Sequence, residues 1–159
     1  MIGVYKGHKI GLFNYSYVGP NNSTVIIISM NNCLPKFLLR PKSMAYRIFN
    51  WKKNKLEIKT PLKRFSDSMV LLAKDKDKFK IAMIFNYDVL NYFACNKQLW
   101  VESDGYNLLI FNQNERLYNG DLLDDMLDRA IDIKKKLGAD KCEISNSQSF
   151  DNATNKDLA

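Results

Sequence analysis

The stretch from Asp121 to Leu137 constrains the fold most, because its apolar residues recur with the period of an α-helix. Leu122, Leu123, Met126, Ala130, Ile133 and Leu137 fall within one arc of a helical wheel, and Asp121, Asp125, Asp128 and Asp132 lie nearly opposite. Acidic residues early and Lys134, Lys135 and Lys136 late both suit the helix dipole, and Gly138 is placed to end the helix. A helix with one apolar stripe must lay it on a second layer, so the rest of the chain has to supply a surface.

That surface reads as β-sheet. Gly3-Val4-Tyr5 runs into Lys6-Gly7, a tight-turn pair, and His8 to Tyr17 then alternates. Ile10 and Leu12 fall on one face, with Phe13, Tyr15 and Tyr17 on the other. After the turn-forming Gly19-Pro20-Asn21-Asn22, Thr24 to Met30 is nearly continuous and β-branched, which predicts a strand buried on both faces. Residues 34–41 are predicted extended, since Pro35 and Pro41 disfavour helix in the residues before them. Lys42 to Asn50 is read as a short helix, Lys55 to Lys59 as a half-exposed strand, and Phe65 to Ala73 as a strand. Asp75 or Asp77 is expected to cap a helix reaching about Cys95, with a break at Asn86. Leu99–Glu102, Asp104-Gly105 and Tyr106–Phe111 predict a hairpin with a type I′ turn.

The expected fold class is therefore α+β. A largely antiparallel sheet, made of an N-terminal meander and a later hairpin, packs against helices and ends in the C-terminal amphipathic helix. Residues 1–143 form one domain, and 144–159 are expected to be a polar, disordered tail. Apolar runs such as Val25 to Ile28 are far below the ~20 residues needed to span a bilayer. The N-terminus lacks a basic region followed by an apolar stretch, so the expected location is cytoplasmic, with a peripheral place at a membrane as the variant. Cys33, Cys95 and Cys142 are scattered and odd in number, which favours reduced thiols, Cys95 as a structural one.

Charge is distributed unevenly. Residues 1–60 carry ten Lys/Arg against the single Glu57, whereas 101–159 carry seven against twelve Asp/Glu, within a net charge of +7. A basic front of this kind can meet an anionic partner, or can be ordinary lysine-rich surface.

Catalytic and metal-binding patterns are not evident. His8 stands beside a turn with no nucleophile nearby, the cysteines are unpaired in spacing, and the aspartates of 121–132 splay along a helix face. Gly3 to Lys9 fails the phosphate-loop spacing and has a strand after the turn in place of a helix. The expectation is no catalytic residue, no metal and no cofactor. The strongest positive signal is Arg40, Lys42, Arg47, Trp51, Lys52, Lys53 and Lys55, where cations could track phosphates or anionic headgroups while Trp51 stacks on a base. A small-molecule site lined by Tyr15, Tyr17, Tyr46 and Trp100 is a further expectation.

Gly3-x-Tyr5-x-Gly7, Phe13-x-Tyr15-x-Tyr17, Leu34-Pro35 with Arg40-Pro41, and Phe65-x-x-x-Met69-x-Leu71 give the chain a family likeness. With Asp75, Asp77 and the Trp100 hairpin, they cover roughly residues 2–137. On these motifs the chain resembles a group of uncharacterised prokaryotic proteins that have paired transmembrane segments followed by a soluble domain. It departs where that group usually has an aromatic residue (Met69 here) and a proline near Asn86. The resemblance implies that this chain corresponds to the soluble domain, on the membrane side, and carries over no catalytic residue.

The function expected from the sequence is a non-enzymatic domain that binds a protein partner or anionic surface through its basic N-terminal half. The alternative is a nucleic-acid binder built around Trp51.

Overall fold

Lys6 and Gly7 set the first register. Both take positive φ, 47° and 80°, so the chain reverses within two residues and Tyr5 lies opposite His8. The structure, a computed structural model, describes residues 1–16, 22–30, 34–42, 56–112 and 115–138. Strand β1 (Ile2–Tyr5) pairs with β2 (His8–Ser16), and β2 with β3 (Asn22–Ser29), the meander expected from the alternation. Strand β4 spans Phe37–Pro41, β5 Leu56–Glu57, β6 Met69–Ala73, β7 Leu99–Ser103 and β8 Asn107–Asn112. The eight described strands form one sheet in the order β1-β2-β3-β8-β7-β4-β6-β5, with every pairing antiparallel. The fold class is α+β.

Four α-helices join them: α1 (Lys63–Ser68), α2 (Lys78–Ile84), α3 (Tyr87–Cys95) and α4 (Gly120–Lys136). Ile26, Ile28, Phe37, Leu39, Val101 and Ile110 project from one face of the sheet into a core shared with Phe65, Ile81, Phe93 and Ile133 of the helices. Each such fully buried side chain contributes about 1.5–3 kcal/mol. The alternate residues of the same strands, among them Phe13, Val25, Leu38, Arg40, Val70 and Trp100, lie on the opposite face.

Several local expectations are met by named contacts. Asn86 caps α3, its Oδ1 accepting from the Val89 N–H at 3.1 Å; Asn119, not singled out from sequence, caps α4 by accepting from the Asp121 N–H. Gly138 takes φ 76° immediately after α4, as a C-terminal cap requires.

Other expectations are corrected. Of the strand expected over Phe65–Ala73, residues 65–68 belong to helix α1 and only Met69–Ala73 is extended. Phe65 is the one buried residue of that turn, and the hydroxyls of Ser66 and Ser68 donate back to the carbonyls of Leu62 and Arg64. Such bonds satisfy the serine hydroxyls within the turn, though they do not themselves favour helix. Strand β5 covers two residues of the five expected. Asp75–Asp77 forms a 3-10 turn, and Asp77 precedes α2 without a side-chain capping bond.

The β7–β8 turn centres on Gly105 and Tyr106, of which only Gly105 has positive φ, 96°. That is the pattern of a II′ turn and not of I′, and the Asp104 carboxylate holds it by accepting from the Tyr106 and Asn107 N–H groups. In β3, Ile27 is half-buried and Ser29 exposed, so burial on both faces stops short of the strand end. On α4 the core stripe is shifted: Leu127 and Ile131 are buried, and Leu122 is exposed. Lys134 is also buried, its Nζ 3.4 Å from His8 Nδ1, and so does not project to solvent beside the helix end. The expected helix at residues 42–50 falls beyond Lys42 outside the described residues, as does the 144–159 tail.

Candidate anion-binding site

Strand pairing brings two lysines together. Phe37 of β4 lies opposite Ala73 of β6, so Lys36, just before β4, and Lys74, just after β6, emerge at the same end of the sheet. The 3-10 turn that follows, and the first turn of α2, add Lys76, Asp77 and Lys80. With Leu34 and Pro35 these residues line a concavity of about 370 Å³. Leu34 is buried and Pro35 half-buried, whereas all four lysines are exposed. Asp75, in the same run of alternating charge, is engaged elsewhere, 2.8 Å from Lys78 Nζ. Four lysines and one carboxylate, Asp77, thus stand among the described lining residues.

The field of Lys36 also reaches the β7–β8 turn. Burial pushes the Asp104 carboxyl up, but bonds from the Asn107 side chain and the Asn107 and Tyr106 backbones, with Lys36, outweigh it and hold Asp104 below the ordinary carboxylate range. Exposed like charges repel only modestly in water, so the fold tolerates the lysine cluster. An anion entering the concavity relieves that repulsion.

No family model, no curated protein and no solved structure matches the chain.

The residues singled out from sequence fare differently. Arg40 is 6% exposed on the sheet face opposite the helices. Burial lowers its guanidinium below the ordinary arginine value, and Glu57 opposes that effect. Arg40 therefore offers little surface to a ligand. Lys42 is exposed, but its Nζ donates to the Ser66 carbonyl at 2.9 Å. Arg47, Trp51, Lys52, Lys53 and Lys55 lie outside the described residues; Leu56, which follows Lys55, pairs with Ala73, the residue before Lys74.

Of the aromatic set, Tyr15 and Trp100 share the sheet face opposite the described helices, on β2 and β7, while Tyr17 and Tyr46 lie outside the described residues. Trp100 stacks on Phe111, with centroids 5.3 Å apart. Cys95 is exposed, not a core thiol, and lines a second concavity of about 280 Å³ with Lys97, Asn112 and Arg129. Among the described residues no group of three His, Cys, Asp or Glu could hold a metal ion, and no helix is long and apolar enough to cross a membrane.

Lys36, Lys74, Lys76 and Lys80 were not singled out from sequence. The alternating Lys74-Asp75-Lys76-Asp77-Lys78 read as a helix start, and only the β4–β6 pairing adds Lys36. A surplus of lysine at both strand ends was the available signal.

Proposed function

We propose that this chain is a non-enzymatic binding domain that engages an anionic surface through its basic N-terminal half. The observation that carries this reading is the convergence of Lys36, Lys74, Lys76 and Lys80 on one concavity with a single carboxylate. Helix α4 reaches the β1 edge of the sheet, where Asp128 pairs with Lys6, whereas the lysine concavity lies at the ends of β4 and β6 toward the other edge. The non-enzymatic part of the reading rests on the sequence, which shows no catalytic motif. A place at the cytoplasmic face of a membrane agrees with the family resemblance.

A second reading has its own support. Phe13 and Tyr15 are 41% and 48% exposed on the face of β2 opposite the described helices, where flat rings can stack on unpaired bases.

Titration of the protein with anionic vesicles, zwitterionic vesicles and a mixed-sequence single-stranded oligonucleotide, at low and high salt, tests both readings. Salt-sensitive binding to anionic vesicles alone supports the first. Binding to the oligonucleotide alone replaces it with the second, and no binding to any of the three removes both.

A further inference from the structure

We infer that the Lys36/Lys74/Lys76/Lys80 concavity takes one compact ligand carrying two or more clustered phosphate groups, on a polyol or a short phosphate chain. This inference rests on the anionic-surface reading above and gives its partner a chemical identity.

Size comes first. About 370 Å³ lies at the small end of ligand sites, roughly 300–1,000 Å³, and suits a discrete group more than a broad flat contact.

Charge narrows the ligand. Four lysines against Asp77 leave three uncompensated positive charges in the lining. A phosphate monoester carries about −1.5 to −2 at neutral pH, so two of them match that surplus, whereas a single carboxylate does not.

Donor geometry points the same way. The basic lining residues are all lysines, point donors on flexible stems, which follow tetrahedral phosphate oxygens in many orientations. The planar fork that selects carboxylates bidentately belongs to arginine, which is not among the described lining residues.

The described lining residues also include no aromatic one. A nucleobase would find no ring to stack on, which favours a phosphorylated polyol or inorganic chain over a nucleotide. Leu34 and Pro35 offer only a small apolar surface. The shared chemistry is clustered phosphate, whether borne on a lipid headgroup or free in solution.

The test is calorimetric titration of the full chain with inorganic tripolyphosphate, beside flotation with vesicles containing a bisphosphorylated inositol lipid or phosphatidylserine at matched charge. Three proteins are compared: wild type, Lys74→Gln/Lys76→Gln, and Lys9→Gln/Lys59→Gln. The last pair removes equal charge from exposed lysines outside the concavity. Matching thermal unfolding of all three shows that the fold is intact.

The expected result is saturable one-to-one binding of tripolyphosphate. Its affinity falls roughly tenfold or more in Lys74→Gln/Lys76→Gln and stays within about twofold in Lys9→Gln/Lys59→Gln. Preference for the inositol-lipid vesicles over phosphatidylserine assigns the phosphates to a headgroup. Binding of tripolyphosphate without that preference assigns them to a soluble ligand. Equal losses in both variants overturn the inference. Silence toward tripolyphosphate with binding to phosphatidylserine overturns it too, but leaves the anionic-surface reading standing. Silence toward every probe removes both.

Discussion

Lys6 Nζ sits 2.6 Å from Oδ1 and 2.8 Å from Oδ2 of Asp128, tying the first hairpin turn to the last helix. The bond to Lys6 is the main cause that holds the Asp128 carboxyl below its ordinary value, and the bond to Asp128 is the main cause that raises Lys6.

The pH dependence follows with definite sign. The Asp128 contribution is present above the unfolded carboxylate range, near 4, and is lost as pH falls through the lower folded value. The Lys6 contribution is present below the unfolded lysine value, near 10.4, and is lost as pH rises through the higher folded value. Both side chains are half-exposed or more, so the effect is small and falls with salt. Asp128→Asn should lower the melting temperature at neutral pH by no more than a few degrees. It should also remove part of the decline between neutral pH and pH 3 that wild type shows. Equal acid sensitivity of the two proteins would sink the assignment.

Phe37, with none of its surface exposed, meets the edge of Phe85 at a centroid distance of 5.2 Å and an interplanar angle of 85°. It stands on β4, between β6 and β7, where the sheet has least room to collapse into a void. Phe37→Ala should cost about 3–5 kcal/mol in denaturant unfolding, from lost transfer energy plus the cavity. Asn86→Ala, which removes only the α3 cap, should cost about 1 kcal/mol. A reversed order of these two costs would mean that the core is not centred on β4.

Trp100 and Phe111 face each other across the β7–β8 pair, 24° from parallel, on the face away from the helices. Trp100 is buried there. Trp51→Phe leaves Trp100 as the sole tryptophan, and its fluorescence then reports this face. Adding Phe111→Ala should shift that emission to the red and cost about 1–3 kcal/mol, since a ring contact and apolar cover are both lost. Unchanged emission would show that Phe111 does not shield the indole.

The elements legible in the sequence are those whose signal is local. Period-two alternation placed β2, the Lys6-Gly7 and Gly105 turns placed two hairpins, and the helical arc placed α4 with its C-terminal glycine. Where one apolar residue sits among serines and an aspartate, as at Phe65, no period exists to separate helix from strand. Leu122 was misplaced and Leu127 missed because a wheel fixes a stripe only to within a residue or so of its width. The candidate site was illegible for a different reason. Lys36 and Lys74 become neighbours only through β4 and β6, and nothing local to either lysine reports that pairing.

Asp77 is the one carboxylate in the lysine concavity, and it gives the site a test of opposite sign to lysine removal. It makes no side-chain capping bond to α2, so replacing it should leave that helix intact. Asp77→Asn keeps the shape and removes the negative charge that an incoming phosphate must approach. Affinity for tripolyphosphate should rise about threefold to tenfold at low salt, and the gain should shrink as salt screens the pair. Asp67→Asn removes an equal charge from α1, where Asp67 contacts Lys63 at 3.4 Å away from the concavity, and should change affinity far less. A like gain in both variants would trace the effect to net charge alone. A loss of affinity in Asp77→Asn would mean that Asp77 orients the lysines and does not oppose the ligand.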